Sequence, residues 1–343
     1  MGKSSCFLTA KARLRLGFLL WIGLLAGCGR SPAGESWSGS TMGTTYHITI
    51  RPAAGKTLPR LQQGVDSVLA EINRQMSTWL PESEISRFNR LPAGTWMRLS
   101  PEFLAVIRLS FQVWNWTNHR FDLTVYPLVT LWGFGPEQET GWQPPAVTAI
   151  DSIRRRIGME HLQIRGDSLR KDVDGLELDV NAIAKGYGVD RVGRYLERQG
   201  IGNYLVEIGG EVRCRGHKPG GKPWSIGIDR PEWGSLPGER LASVLQLEDG
   251  AVATSGDYRA FHSVGDSVIS HAIDPTTGRP AQDRVASATV VADSCALADA
   301  LATSLMVMGA ERGMRLIESL PGVEAYLLIR ETPTGWRPVM SSG

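Results

Sequence analysis

The chain has 343 residues, 42% of them hydrophobic and 21% charged, a globular composition with room for one large domain or two small ones. Its formal charge of +2 becomes −2 once Lys3, Lys11, Arg13 and Arg15 of the acid-free N-terminal segment are set aside. No basic stripe for nucleic acid survives that correction, and the absence of CxxC, HExxH and GxSxG removes the commonest zinc and serine-hydrolase readings.

In chain order, the four N-terminal cations precede a short apolar run, Leu16–Leu25, too short to span a bilayer as a finished helix. Residues 1–27 therefore read as a signal peptide. Leu25-Ala26-Gly27-Cys28 resembles a bacterial lipobox, with Cys28 as the lipidated first residue; an ordinary signal peptide with an incidental cysteine is the alternative. Residues 28–37 read as the lipidated cysteine and a polar tether, and residues 38–343 as one domain. Cys214 and Cys295 are left, and sequence alone does not say whether they pair.

Thr44–Arg51 alternates as a strand, and Leu58–Met76 has helical spacing through Leu61, Val65, Leu69 and Ile72. Further helices are expected near Ile85–Asn89, over Pro101–Thr117 and over Val147–Ile157, with a Gly-, Pro- and Trp-rich loop at Trp132–Pro145. Leu176–Val180, Tyr204–Ile208, Trp224–Ile228, Val244–Leu247, Ala251–Thr254, Val268–Ile273, Ala286–Val291 and a closing Ala325–Arg330 read as strands. Ile183–Gln199, Cys295–Met308 and Glu311–Ser319 read as helices. Helices dominate the first half and strands the second, with no repeat: an α+β layout.

The helix near Cys295–Met308 is the most informative. Asp293 or Ser294 can cap its start, Gly309 stops it, and its almost wholly apolar surface implies burial. Asp299 and Thr303 lie four residues apart on one face. Either they give two oxygens to a hard cation, or Asp299 caps a neighbour while Thr303 bonds back to its own helix. Polar turns, all but the last bearing glycine, recur at Ser40–Thr44, Leu178–Tyr187, Val206–Glu211, Ala253–Tyr258 and Ser270–Pro275, and each can offer N–H groups to phosphate. No GxGxxG or GxxxxGK[ST] is present, which disfavours Rossmann and P-loop nucleotide sites. Lys185 suits a phosphate or a solvated surface, and His271 a general base or a backbone contact. Trp79 suits ring stacking or simple packing, and Asp122 a ligand or a turn cap.

Thr41–Thr44, Met76–Trp79 with Ser83–Asn89, Phe121–Val125, Asn181–Tyr187, Thr254–Tyr258, Ser270–Pro275 and Ala298–Thr303 occur in the order seen in the ApbE family. These are flavin-transferring bacterial lipoproteins, the FAD:protein FMN transferases, and the chain resembles them over nearly all of its length beyond the signal segment. The resemblance implies a single domain of mixed sheets and helices with FAD in a cleft between two lobes. It implies that Met42 and Trp79, a tryptophan where relatives often have tyrosine, line the flavin or adenine pocket. Arg120, Phe121 and Asp122 would hold the adenosine part, Asn181 and Lys185 would approach the pyrophosphate, and Ile273 would join the flavin-binding set. The family's metal ligands map to Asp299, Thr303 and the carbonyl of Ala184, an all-oxygen set suited to Mg²⁺. His271 matches the proposed base, with Asp274 positioned to orient it.

The expected reaction is transfer of FMN from FAD to a Ser/Thr hydroxyl of an acceptor protein, with release of AMP. Acceptors of the family are membrane redox-pump subunits, and the expected location is the bacterial cell envelope, lipid-anchored and facing the periplasm. An FAD pyrophosphatase and a non-catalytic flavin-binding lipoprotein are the alternatives.

Overall fold

The computed structural model describes residues 34–51, 57–134, 142–258, 261–264, 267–281, 283–332 and 335–342; the expected signal peptide and Cys28 lie outside them. Period-2 burial builds its main sheet. Tyr46, Ile48 and Ile50 are buried while the alternate residues Thr45 and His47 are exposed and Thr49 is half-buried, as a strand with one covered face requires. Eight strands join in chain order, all neighbours antiparallel: β1 Glu35–Thr41, β2 Thr44–Ile50, β3 Tyr204–Ile208, β4 Glu211–Arg215, β5 Gly250–Gly256, β6 Val285–Ala292, β7 Glu324–Thr332 and β8 Gly335–Met340. The β1–β2 hairpin closes through Met42 and Gly43, with φ of +49° and +71°. Two consecutive left-handed residues make the tight turn that matches strand twist.

The helices are α1 Leu58–Met76, α2 Glu84–Arg90, α3 Pro101–Trp116, α4 Tyr126–Leu131, α5 Val147–Arg154, α6 Ala184–Arg198, α7 Cys295–Met308 and α8 Ala310–Glu318. α6 and α7 cover one face of the sheet. The hairpin of Trp224–Asp229 and Leu241–Leu247 covers the other, where Val212, Cys214 and Val252 meet Trp224 and Ile226. Covered on both faces, β6 is buried along almost its whole length and reads as an apolar run. Cys214 therefore faces the hairpin layer and Cys295 the helix layer; both thiols are buried and free, which answers the open question of a bridge.

α7 is held at its N-terminus by two residues. Ser294 Oγ accepts from Leu297 N (3.4 Å), and the buried Asp190 of α6 accepts from the N–H groups of Cys295 and Ala296 (both 3.0 Å). Orphan N–H groups at a helix start attract a carboxylate by hydrogen bonding and by the helix dipole. Arg213 Nη1, 2.9 Å from Asp190 Oδ1, balances the buried charge. Gly309, with φ of +79°, ends the helix as expected.

The structure departs from expectation in several places. Residues 35–37, assigned to the tether, belong to β1, whose small polar residues mask its alternation. β8 was not anticipated, so Ala325–Arg330 does not close the sheet. Leu176–Val180 is extended and buried at alternate positions, yet it is no strand. Its backbone bonds go to the Asn89 side chain (2.8 and 3.0 Å) and to the Leu123 carbonyl (2.7 Å), so no ladder forms. The expected strand Val268–Ile273 breaks into Ser267–Ser270 and Ile273–Asp274, with His271 at a bend. Part of the Trp132–Pro145 loop lies outside the described residues; its start follows directly on the end of α4 at Leu131, with Trp132 as the C-cap.

Candidate active site

A cavity of about 620 Å³ opens between α7 and the segment 120–126. Of the residues singled out from sequence, Trp79, Arg120, Phe121, Asp122, Asn181, Lys185, His271, Ile273, Asp299 and Thr303 line it. Met42, Ala184 and Asp274 stand behind the wall. The Met42 side chain lies against Gly188 of α6, and Ala184 is the first residue of that helix.

Asp299 is 2% exposed, and its Oδ2 accepts from Gly186 N at 3.0 Å. Burial pushes its carboxyl pKa up, against the opposing pull of Lys185 and the Gly186 N–H. Thr303 lies one turn along, its Oγ1 3.1 Å from Ser255 Oγ on β5. The two helices can bring Asp299 to the start of α6 only because residue 186 is glycine: a Cβ there would sit 2.3 Å from the Cys295 carbonyl oxygen and 2.8 Å from Asp299 Cβ. Asp299, Thr303 and Ser255 thus gather one carboxylate and two hydroxyl oxygens at one wall of the cavity, an all-oxygen, singly charged group of the kind a hard divalent cation accepts, and Ala184, whose carbonyl the resemblance adds to the set, begins the neighbouring helix. Among the described residues no group of three or more His, Cys, Asp or Glu side chains could hold a metal, so a thiolate or imidazole site has no counterpart there.

Lys185 Nζ lies 2.8 Å from Oε1 of Glu211, whose side chain is 3% exposed, so its ammonium is held at the cavity wall by a buried acid. Asn181 follows the same extended segment, its backbone and side-chain nitrogens donating to Asp179 (2.7 and 3.1 Å). Arg120 enters after a left-handed turn at Asn118 and His119 (φ +51° and +65°), with the His119 ring stacked on Trp114 at 3.8 Å. Its Nε is 3.9 Å from Asp274 Oδ2.

Two acids do other work than the resemblance implied. Asp274 Oδ1 accepts from the N–H and hydroxyl of Thr276 (2.8 and 2.6 Å), so its carboxylate serves its own turn and Arg120 rather than orienting His271. Asp122 Oδ1 accepts from Thr124 N and Oγ1 (2.7 and 2.6 Å), and its Oδ2 from Met159 N (3.2 Å). That is the turn-cap alternative, and it stiffens the segment 121–125. Burial nonetheless raises the Asp122 pKa to about 6, outweighing those three bonds.

His271 is exposed at the cavity mouth, edge-on to Phe134 with centroids 6.1 Å apart. The turn after it is tied to α4 by the Trp132 indole, which donates to the Gly278 carbonyl (2.8 Å). Ile273, from the same segment, packs into a satellite cluster with Leu128, Trp132, Ile150 and Ile157, the smaller of the bodies flanking the cavity. Trp79 stands at the rim, 71% exposed, an isolated aromatic face open to a planar ring. Glu211, Ser255 and Tyr126 also line the cavity and were not singled out from sequence. Glu211 and Ser255 lie in the glycine-bearing turns, but only the approach of distant strands and helices puts them beside Lys185 and Thr303.

A model of the ApbE family matches residues 42–327. The FAD:protein FMN transferase of Vibrio cholerae is 43% identical over 325 residues, covering 93% of this chain and 94% of that one. The solved flavin transferase ApbE from Vibrio cholerae superposes with a TM-score of 0.81 at 43% identity, covering 90% and 98% of the two chains. The Pseudomonas stutzeri flavinyl transferase ApbE, in its apo form, gives 0.81 at 37% identity, covering 90% and 95%.

Proposed function

The chain belongs to the ApbE family, and from that premise we propose that it transfers the FMN part of FAD to a serine or threonine hydroxyl of an acceptor protein. The observation that carries this is the convergence of Asp299, Thr303, Lys185 and His271 on one cavity with an exposed aromatic at its rim. Oxygen ligands, a held cation and a base at one mouth are the parts that pyrophosphate cleavage requires.

The hydroxyl oxygen attacks the FMN-side phosphorus, the bond from that phosphorus to the bridging oxygen breaks, and AMP departs with the electron pair. His271, at the mouth, takes the hydroxyl proton. Lys185, held by Glu211, neutralises charge on the pyrophosphate. Asp299, Thr303, Ser255 and the Ala184 carbonyl would hold Mg²⁺, which supplies Lewis-acid neutralisation of the phosphate oxygens. Trp79 stacks on a ring of FAD, and Phe121 and Ile273 give the cavity an apolar wall that excludes water. We further place the chain in the bacterial cell envelope, lipid-anchored through Cys28 and facing the periplasm, with the first described strand starting at Glu35. Its acceptors are then membrane redox-pump subunits.

The test mixes the full chain in detergent with FAD, Mg²⁺ and the soluble domain of such a subunit, and follows both proteins by intact mass. An acceptor heavier by one FMN, lost when its target hydroxyl residue is changed to alanine, supports the transferase. An unmodified acceptor beside accumulating FMN and AMP means a pyrophosphatase, and unchanged FAD means a binder.

A further inference from the structure

A second cavity, of about 1290 Å³, lies on the other side of the segment that carries His271. It shares Ala272 and Met306 with the flavin cavity, so the two meet at the proposed base. Its walls come from the Ile269–Ala272 segment, the start of β6, the end of β7, Trp336 of β8, and Trp233 beyond the Trp224–Asp229 strand. No step proposed above uses it.

The charges along this groove do not cancel. Arg330 is spent on Asp257 (2.9 and 3.1 Å) and lies under the Trp233 ring at 4.9 Å. Arg240 is spent on Glu232 (3.0 Å), and Glu331 turns to Arg337 (3.0 Å). The Asp283 carboxylate is turned toward Gly309 at the α7–α8 joint. Arg279 and Arg284 are exposed, line the same groove, and have no carboxylate within 4 Å among the described residues. What remains is a tryptophan-walled trough with two guanidinium groups that have no carboxylate partner among the described residues, meeting the flavin cavity at Ala272 beside His271.

We propose that this groove seats the acceptor protein: an extended segment that delivers its hydroxyl past Ala272 to His271 and sets a carboxylate, within a few residues of that hydroxyl, on Arg279 and Arg284. The proposal rests on the transferase reading. A polypeptide nucleophile needs a surface long enough for its backbone, and this trough is continuous with the proposed site. Guanidinium groups favour carboxylates by paired N–H donors, and charge pairs at an interface set partner choice and encounter rate. A pyrophosphatase would need no such trough, because water reaches the phosphate through the flavin cavity's own mouth.

The experiment compares wild type with the double variant Arg279→Glu/Arg284→Glu, both as full chain in detergent, using the redox-pump subunit domain of the transfer assay. FAD affinity, read by quenching of flavin fluorescence, should not change, while KM for the acceptor rises about tenfold or more with kcat little altered. The wild-type KM should also rise with salt, and that dependence should flatten in the variant. Changing acidic residues near the acceptor's hydroxyl to lysine should restore transfer by the variant. Should the double variant lose FAD binding through misfolding, Arg279→Gln/Arg284→Gln reads the same KM without reversing charge. Wild-type transfer with an unchanged acceptor KM in a variant that still binds FAD overturns the groove alone. FAD binding with no labelling of any acceptor by wild type overturns the transferase reading and the groove with it.

Discussion

Asp299 and Asp122 are both carboxylates driven toward their neutral forms by burial, but they differ in what could relieve them. Asp299 has one N–H donor and sits with Thr303 and Ser255 at the cavity wall, so a cation is the partner that would offset its desolvation. Asp299→Asn keeps an acceptor for Gly186 N and removes the charge. Mg²⁺ should therefore raise the melting temperature of wild type by mass action and leave the variant's unmoved, while the metal-free variant is at least as stable as metal-free wild type. An equal Mg²⁺ shift in both proteins would sink the metal assignment. Asp122 lines the same cavity but already has three donors. Its folded pKa, about 6, lies above the unfolded value of about 3.9, so the native state holds more protons between those values. Stability from this group is fully present below about pH 4 and is lost as pH rises through about 6, on the order of 3 kcal/mol in all. Urea midpoints for wild type and Asp122→Asn at pH 4, 5, 6 and 7 should show the difference between the two proteins changing across that window and constant above it. A constant difference throughout would mean that Asp122 is not held near neutrality.

The α6–α7 crossing decides where Asp299 stands, and Gly186 sets how close the helices come. Two opposing effects of Gly186→Ala can be weighed. Alanine is the better helix former by about 1 kcal/mol. Its Cβ, however, would lie 2.3 Å from the Cys295 carbonyl oxygen, which is backbone at the start of α7 and is pinned there by Asp190. Overpacking against rigid groups costs about 1–3 kcal/mol, so the clash outweighs the propensity. Gly186→Ala should therefore lower the urea midpoint and also weaken the Mg²⁺-dependent rise in melting temperature, because separating the helices moves Asp299 away from the start of α6, where Gly186 N now donates to it. A variant more stable than wild type with an unchanged Mg²⁺ response would show that the crossing has slack. Recognising α7 in the sequence needed only its apolar run, Ser294 and Gly309. Its anchoring did not show there, since Asp190 lies over a hundred residues upstream and reads as an ordinary polar position of an amphipathic helix.

Across the whole molecule, periodicity was a good guide to which face of a segment is covered and a poor one to what its backbone pairs with. Leu176, Leu178 and Val180 alternate inward like a strand, but a side-chain amide and a loop carbonyl take their hydrogen bonds. β1 and β8 pair fully at the two edges of the sheet although Ser36, Ser38 and Pro338 hide them. The same limit held at the site: residue types named Asp299, Thr303 and Lys185, while Glu211 and Ser255 depend on strands meeting helices distant in sequence. The resulting three-layer body has a thiol on each side of its central sheet. Burial raises the Cys214 pKa to about 12 and pushes Cys295 well above the usual thiol range, so neither is reactive while its layer stays in place. Cys295 lies within the helix layer, against α6 and the sheet, whereas Cys214 is covered by one two-stranded hairpin with a small apolar cluster beneath it. Fewer buried contacts make that hairpin the easier layer to lift. In the chain with Cys6 and Cys28 changed to serine, Cys214 should be alkylated at a lower urea concentration than Cys295, and Cys295 should follow the loss of helical circular dichroism. Simultaneous labelling would mean that both layers unfold as one unit, and a mass lowered by the loss of both thiol hydrogens would mean that the cysteines pair after all.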